Sequence, residues 1–143
     1  MEIWEKISKG ISNGDRLVDY TESILEVDDL DKVEYNVEKY TKKTIYIDKN
    51  IEVVLIGWEV GQSSPIHDHP DNGCIYRILS GNMMDIRYDK DLCIVSENRL
   101  SVDDVGDIIG SNEYHKMLNS VESRASSIHI YSPPKYKMNI YGK

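Results

Sequence analysis

The chain predicts an all-β sandwich or barrel with a small α-helical N-terminal cap, and three observations carry that expectation. Short segments of alternating apolar residues recur from Thr44 onward, turn signals separate them, and the first 39 residues are instead acidic and helix-prone. Residues 44–47 and 51–56 flank an Asp48-Lys49-Asn50 turn and read as a hairpin. Further strands are expected over 75–79, 83–88, 93–95, 105–109, 114–118 and 127–131, with Ser80-Gly81-Asn82 and Asp89-Lys90-Asp91 as turns. In the N-terminal 1–39, Gly10, Asn13 and Gly14 interrupt an initial amphipathic stretch. Leu17, Val18, Ile24, Leu25 and Val27 recur at helical spacing, and Leu30, Val33 and Val37 predict one more short helix from Asp28. These helices are expected to form a solvated cap on a single domain whose core spans 40–134, with 135–143 as a short tail.

Composition excludes several classes of function. A net charge of −8 with a pI near 4.9 disfavours nucleic acid, whose phosphates need a basic surface, and anionic membranes for the same reason. No stretch reaches the ~20 apolar residues of a membrane span, and the start of the chain reads unlike a secretory signal. Cys74 and Cys93, the two cysteines, make no disulfide framework, so a reducing cytoplasm is the expectation, and the chain is separately expected to be a monomer. Cys93 reads as core packing.

The informative segment runs from Gly61 to Gly81. His67 and His69 stand one residue apart at the start of an apolar run, and residues i and i+2 of a strand share a face. The pair therefore aims two imidazoles at one point, as a metal requires. The chain has four histidines, and the other two, His115 and His129, fall in later strand candidates that suit the same sheet.

The spacing around them resembles that of the cupins. Gly61, five residues, His67-x-His69, four residues, Cys74, six residues and Gly81 follow the first cupin motif, with cysteine in place of its usual glutamate. His115, three residues and Asn119 fit the end of the second motif, although Gly110 and Asn112 stand where a proline and a glycine are usual. Cupins are double-sheet jelly rolls, which matches the strand count. The ligands expected are His67, His69 and His115. Three neutral imidazoles leave a divalent ion its full charge, which favours an anionic ligand such as a thiolate. Imidazole alone does not choose among iron, zinc, copper and nickel.

Within the cupins, S-P-I-H-D-H, Cys74 and S-I-H-I-Y-S-P-P resemble the thiol dioxygenases, in particular cysteine dioxygenase, over roughly 40–134. The resemblance implies Fe(II) on the three histidines, a small thiol and O₂ as substrates, and a sulfinic acid as product. It implies a Ser127–His129–Tyr131 relay, three alternate residues on one strand face. It places Cys74 where animal-type members carry the cysteine of a Cys–Tyr thioether, here Cys74–Tyr131. The bond before the first proline of Ser132-Pro133-Pro134 is often cis in that motif.

Two departures accompany the resemblance. The segment from Tyr40 to Tyr46 is similar to the family's Tyr-x-Arg-Asn-x-x-Tyr, but Lys42 stands where the arginine holds a substrate carboxylate. Lysine offers a flexible point charge in place of a bidentate fork, so cysteine, 3-mercaptopropionate and an aminothiol all stay open as substrates. Lys42 and Tyr40 are the expected substrate-binding residues. Nine residues follow Pro134, fewer than in many relatives, and the expectation is a more open pocket. A zinc centre of other chemistry and a binding module without turnover are the alternatives.

Overall fold

Ten strands build two five-stranded antiparallel sheets in the computed structural model, which describes residues 2–28, 30, 32–109, 113–120 and 123–142. They are β1 (Thr41–Ile47), β2 (Glu52–Trp58), β3 (Ile66–His67), β4 (Cys74–Ser80), β5 (Met83–Tyr88), β6 (Ile94–Leu100), β7 (Val105–Ile108), β8 (Tyr114–Leu118), β9 (Ala125–Tyr131) and β10 (Ile140–Tyr141). One sheet runs β1-β2-β9-β4-β7 and the other β10-β3-β8-β5-β6, the two layers of a jelly roll. The β1–β2 hairpin forms as expected, its turn held by Asp48 Oδ1, which accepts from the Asn50 and Ile51 amides at 2.8 and 3.1 Å. Strand β6 continues to Leu100, beyond the expected 93–95. Gly110 and Asn112 lie outside the described residues.

The first sheet is buried on both faces. Val53, Leu55, Ile75, Ile128 and Ile130 form one core with Trp4, Ile7, Leu17, Ile24 and Val27 of the N-terminal region. Val54, Ile56, Trp58, Tyr76 and Ile78 face the other way and meet Met83, Leu100 and Met117 of the second sheet. The N-terminal region is thus half of a hydrophobic core and not a solvated cap.

Its helices also differ from expectation. Helix α1 (Glu2–Ser12) runs through Gly10, where a β-carbon would collide with the Tyr20 hydroxyl, and ends at Gly14 with φ of +99°. Two 3₁₀ turns, Leu17–Tyr20 and Ser23–Glu26, replace the second helix. No helix follows from Asp28 among the described residues. The Glu34 and Asn36 carbonyls accept instead from Thr41 Oγ1 and Gln62 Nε2, at 2.6 Å each, which ties this segment extended along the sheet. Val37, expected on an apolar face, is 82% exposed. No helix among the described residues is long and apolar enough to cross a membrane.

Candidate metal centre

Strand pairing across the second sheet brings the histidines together. Strand β3 pairs with β8 so that His67 lies opposite His115, while His69 follows just beyond the short strand. The three rings form a triangle with centroids 4.6 to 4.8 Å apart. One nitrogen from each lies within 4.8 Å of the others, and all three residues are buried.

Each ring has its Nδ1 occupied. His67 Nδ1 donates to the Pro65 carbonyl at 2.8 Å and His69 Nδ1 to the Glu113 carbonyl at 3.3 Å, since a carbonyl only accepts. His115 Nδ1 donates to Asp85 Oδ1 at 3.0 Å. Those bonds fix the tautomer that leaves Nε2 with a lone pair. Among the described residues His69 Nε2 is the buried side-chain polar atom without a hydrogen-bond partner, and such an atom calls for an explanation. Burial, reinforced by His115, lowers the His67 pKa to about 3 and pushes His69 down as well, so both imidazoles are neutral at pH 7. Neutral, convergent, pre-oriented imidazoles fit a divalent transition metal.

Behind His115 stands a buried network that sequence reasoning missed. Asp85 also accepts from Tyr76 Oη at 2.5 Å and from Arg87 Nη2 at 2.8 Å. Burial alone would raise its pKa, but the His115 and Arg87 interactions outweigh that and hold the carboxyl well below its usual range. Gly106 makes room for Tyr76, whose ring a β-carbon there would strike. In sequence, Asp85 looks like one more strand charge. The available signal was its alternation with Met83 and Arg87 on a single face.

The first sheet supplies the opposite wall. Cys74 pairs with Tyr131 and Tyr76 with His129 across β4 and β9, so the expected relay and Cys74 share the inner face. His129 Nε2 lies 2.8 Å from Ser127 Oγ, which accepts from Trp58 Nε1 at 3.0 Å. The next link is a ring contact, with His129 and Tyr131 nearly parallel at 6.1 Å, and the polar neighbour of the phenol is the Cys74 side chain. Burial, with Cys74 adding to it, raises the Tyr131 pKa well above its usual value, and burial lowers His129 to about 3. Both are neutral at pH 7. Cys93, in contrast, is exposed beside the β5–β6 turn and is not core.

A cavity of about 140 Å³ reaches the triangle and is lined by His67, His115, His129, Tyr131, Tyr40 and Lys42 among others. Tyr40 stacks on Trp58 with ring centroids 4.7 Å apart. Much of Lys42 stays open to solvent at the mouth, yet desolvation lowers its pKa, with Glu52 opposing. The Ser132–Pro133 bond is cis. From the C-terminal residues, Tyr136 and Met138 line the pocket, and β10 pairs with β3.

The cysteine dioxygenase type I family matches the chain over residues 19–143. Cysteine dioxygenase type 1 from Rattus norvegicus is 32% identical over 89 residues, which cover 57% of this chain and 44% of the relative. The chain thus spans less than half the length of the curated relatives it matches. Among solved structures, a Klebsiella pneumoniae protein with a double-stranded beta-helix domain aligns with a TM-score of 0.65 and 16% identity, over 78% of this chain and 91% of that one. A cupin superfamily protein from Desulfitobacterium hafniense aligns at 0.58 and 15% identity, over 70% and 83%. The jelly roll is a cupin fold.

Proposed function

The chain belongs to the cysteine dioxygenase type I family, and on that premise we propose that it is an Fe(II) thiol dioxygenase, joining a small thiol and O₂ into a sulfinic acid. The observation that carries the reading is the buried triangle of His67, His69 and His115, every Nδ1 tied outward and every Nε2 left free to bind. L-cysteine is the first substrate to test. A cytoplasmic, metal-dependent enzyme is the corresponding picture.

The three histidines would hold the metal, and bound Fe(II) supplies acidification of a ligated thiol and activation of O₂. The rest falls to the chain's own side chains. Tyr131 is neutral and keeps its proton, so its hydroxyl can donate a hydrogen bond toward the reacting sulfur or oxygen. His129, neutral and fixed by Ser127, packs beside that phenol and limits its orientation. Cys74 flanks the hydroxyl, and a Cys74–Tyr131 thioether would lock the ring, detectable as intact protein lighter by the mass of two hydrogens. Lys42 presents a point charge to a substrate carboxylate from the cavity mouth, where Tyr40 on Trp58 gives it a rigid neighbour.

A second reading draws on Glu52, which lines the same cavity as Lys42 and whose carboxylate is held in place by Thr44 Oγ1 and the Lys135 amide. An anionic group there suits an ammonium-bearing thiol without a carboxylate, such as cysteamine. The test is O₂ uptake by protein reconstituted anaerobically with Fe(II), given cysteine, 3-mercaptopropionate and cysteamine separately, with sulfinate followed by mass spectrometry. Uptake matched by sulfinate is the expected result. A protein that holds stoichiometric iron and oxidises none of the three is a binding module and ends the proposal.

A further inference from the structure

Asp68 stands between the two histidines of the H-x-H pair and is 5% exposed, yet it has no part in the proposed reaction. Its carboxylate is saturated by the C-terminal segment. Oδ1 accepts from Tyr136 Oη at 2.9 Å and from the Asn139 amide at 2.8 Å. Oδ2 accepts from Asn139 Nδ2 at 2.8 Å and from Tyr141 Oη at 3.1 Å. The Asp68 amide donates to the Asn139 carbonyl at 3.2 Å. A buried acid is costly unless its lone pairs are met, and here four donors from three residues meet them.

Those donors come from the segment that forms part of the cavity wall. Tyr136 and Met138 line the pocket, and β10 adds to β3 with Ile140 opposite His67. A strand pairing of two residues is too short to hold such a segment by itself. Charge-assisted bonds to one fixed carboxylate are the stronger restraint. Asp68 is itself fixed, because the neighbouring ligands His67 and His69 are bonded to Pro65 and Glu113.

We propose that Asp68 is a positioning residue for thiol selection: its carboxylate holds 136–141 against the barrel, so that Tyr136 and Met138 wall the pocket and a bulky thiol is turned away. The proposal rests on the thiol-binding reading of the metal centre. The chemical class it assigns to the pocket is a thiol of a few heavy atoms, with peptide-sized thiols excluded.

The deciding test uses Asn139→Ala/Tyr141→Phe, with Asp68→Ala alongside it because Asp68 itself lines the cavity. The double variant removes both Oδ2 donors, and neither residue lines the cavity. Proteins loaded with Co(II) are titrated with 3-mercaptopropionate and with glutathione, read by sulfur-to-cobalt absorption, and amide hydrogen exchange is followed over 136–141. Loss of two hydrogen bonds should lower the small-to-bulky affinity ratio about tenfold or more and raise exchange in the segment by at least as much. Faster exchange with an unchanged ratio would make the segment a fold anchor and overturn the proposal. Unchanged exchange would overturn it too, since Asp68 would not be the restraint. Wild-type protein that discriminates between the two thiols without oxidising either ends the dioxygenase reading and leaves this one standing. Wild-type protein that oxidises small thiols but binds glutathione equally well does the reverse.

Discussion

Strands β4 and β9 present two faces of opposite character, built from alternate residues of the same segments, whereas β2 beside them is apolar on both. The outer face carries Val53, Leu55, Ile75, Ile128 and Ile130, closed over by Trp4, Ile7, Leu17 and Ile24, with Arg77 at its margin bonded to the Ile24 and Val27 carbonyls. The inner face carries Cys74, Tyr76, Ser127, His129 and Tyr131, bonded to one another and turned toward three imidazoles. One residue of shift along a strand exchanges stability for chemistry. The two functions are therefore separable by substitution, although the residues that serve them are sequence neighbours.

The largest effect expected falls on the metal. His69→Ala removes one of the three proposed ligands and should abolish stoichiometric metal uptake, measured by elemental analysis of dialysed protein, while the outer core stays folded. On the other face, Ile128→Ala deletes a fully buried side chain and should cost about 2–5 kcal/mol in denaturant unfolding. Its metal content and thiol preference should match wild type. A change in either would break the separation.

Acid should distinguish the faces next. His129 and His67 are each lowered to about 3, by burial first and by the neighbouring His115 second. The unfolded chain takes up those protons near pH 6.5, whereas the native state refuses them until about 3. Metal-free protein should then be fully stable above pH 6.5 and lose about 1.4 kcal/mol per pH unit for each such histidine as the pH falls toward 3. His129→Gln should flatten that slope in unfolding curves. Ile128→Ala should leave it unchanged.

Smaller effects sharpen the inner face. Asp85→Asn keeps a group opposite His115 but removes the charge, and metal affinity should fall about 10–100-fold by competition titration. Lys42→Arg should lower KM for a carboxylate-bearing thiol and leave kcat unchanged, since a fork replaces a point charge. A rise in KM would place the carboxylate elsewhere.

Some of this architecture was legible in the chain because it is written at short range. The period-two alternation of 127–131 is enough to put Ser127, His129 and Tyr131 on one face. His67-x-His69 does the same for two candidate ligands, and the strand context of His115 makes it available as a third candidate. The N-terminal region was legible only as acidic and helix-prone. Its carbonyls at Glu34 and Asn36 go to side chains in β1 and the β2–β3 loop, and spacing along 28–37 carries no trace of that. Cys93 reads as apolar, but it follows the Asp89 turn at a sheet edge and meets solvent.

The order of residues alone dictates the alternation that sorts β4 and β9 into a packing face and a chemical face, together with the turns that separate the strands. Both depend on residues within a few positions of each other, where backbone geometry sets which side chains share a side. Which buried charges serve those faces depends instead on how the folded strands assemble. Asp85 meets His115 through the β5–β8 register, and Asp68 meets Tyr136, Asn139 and Tyr141 from about seventy residues away. A carboxylate's partners are chosen by which strands lie side by side, and long-range pairing leaves no local period in the chain to reveal it.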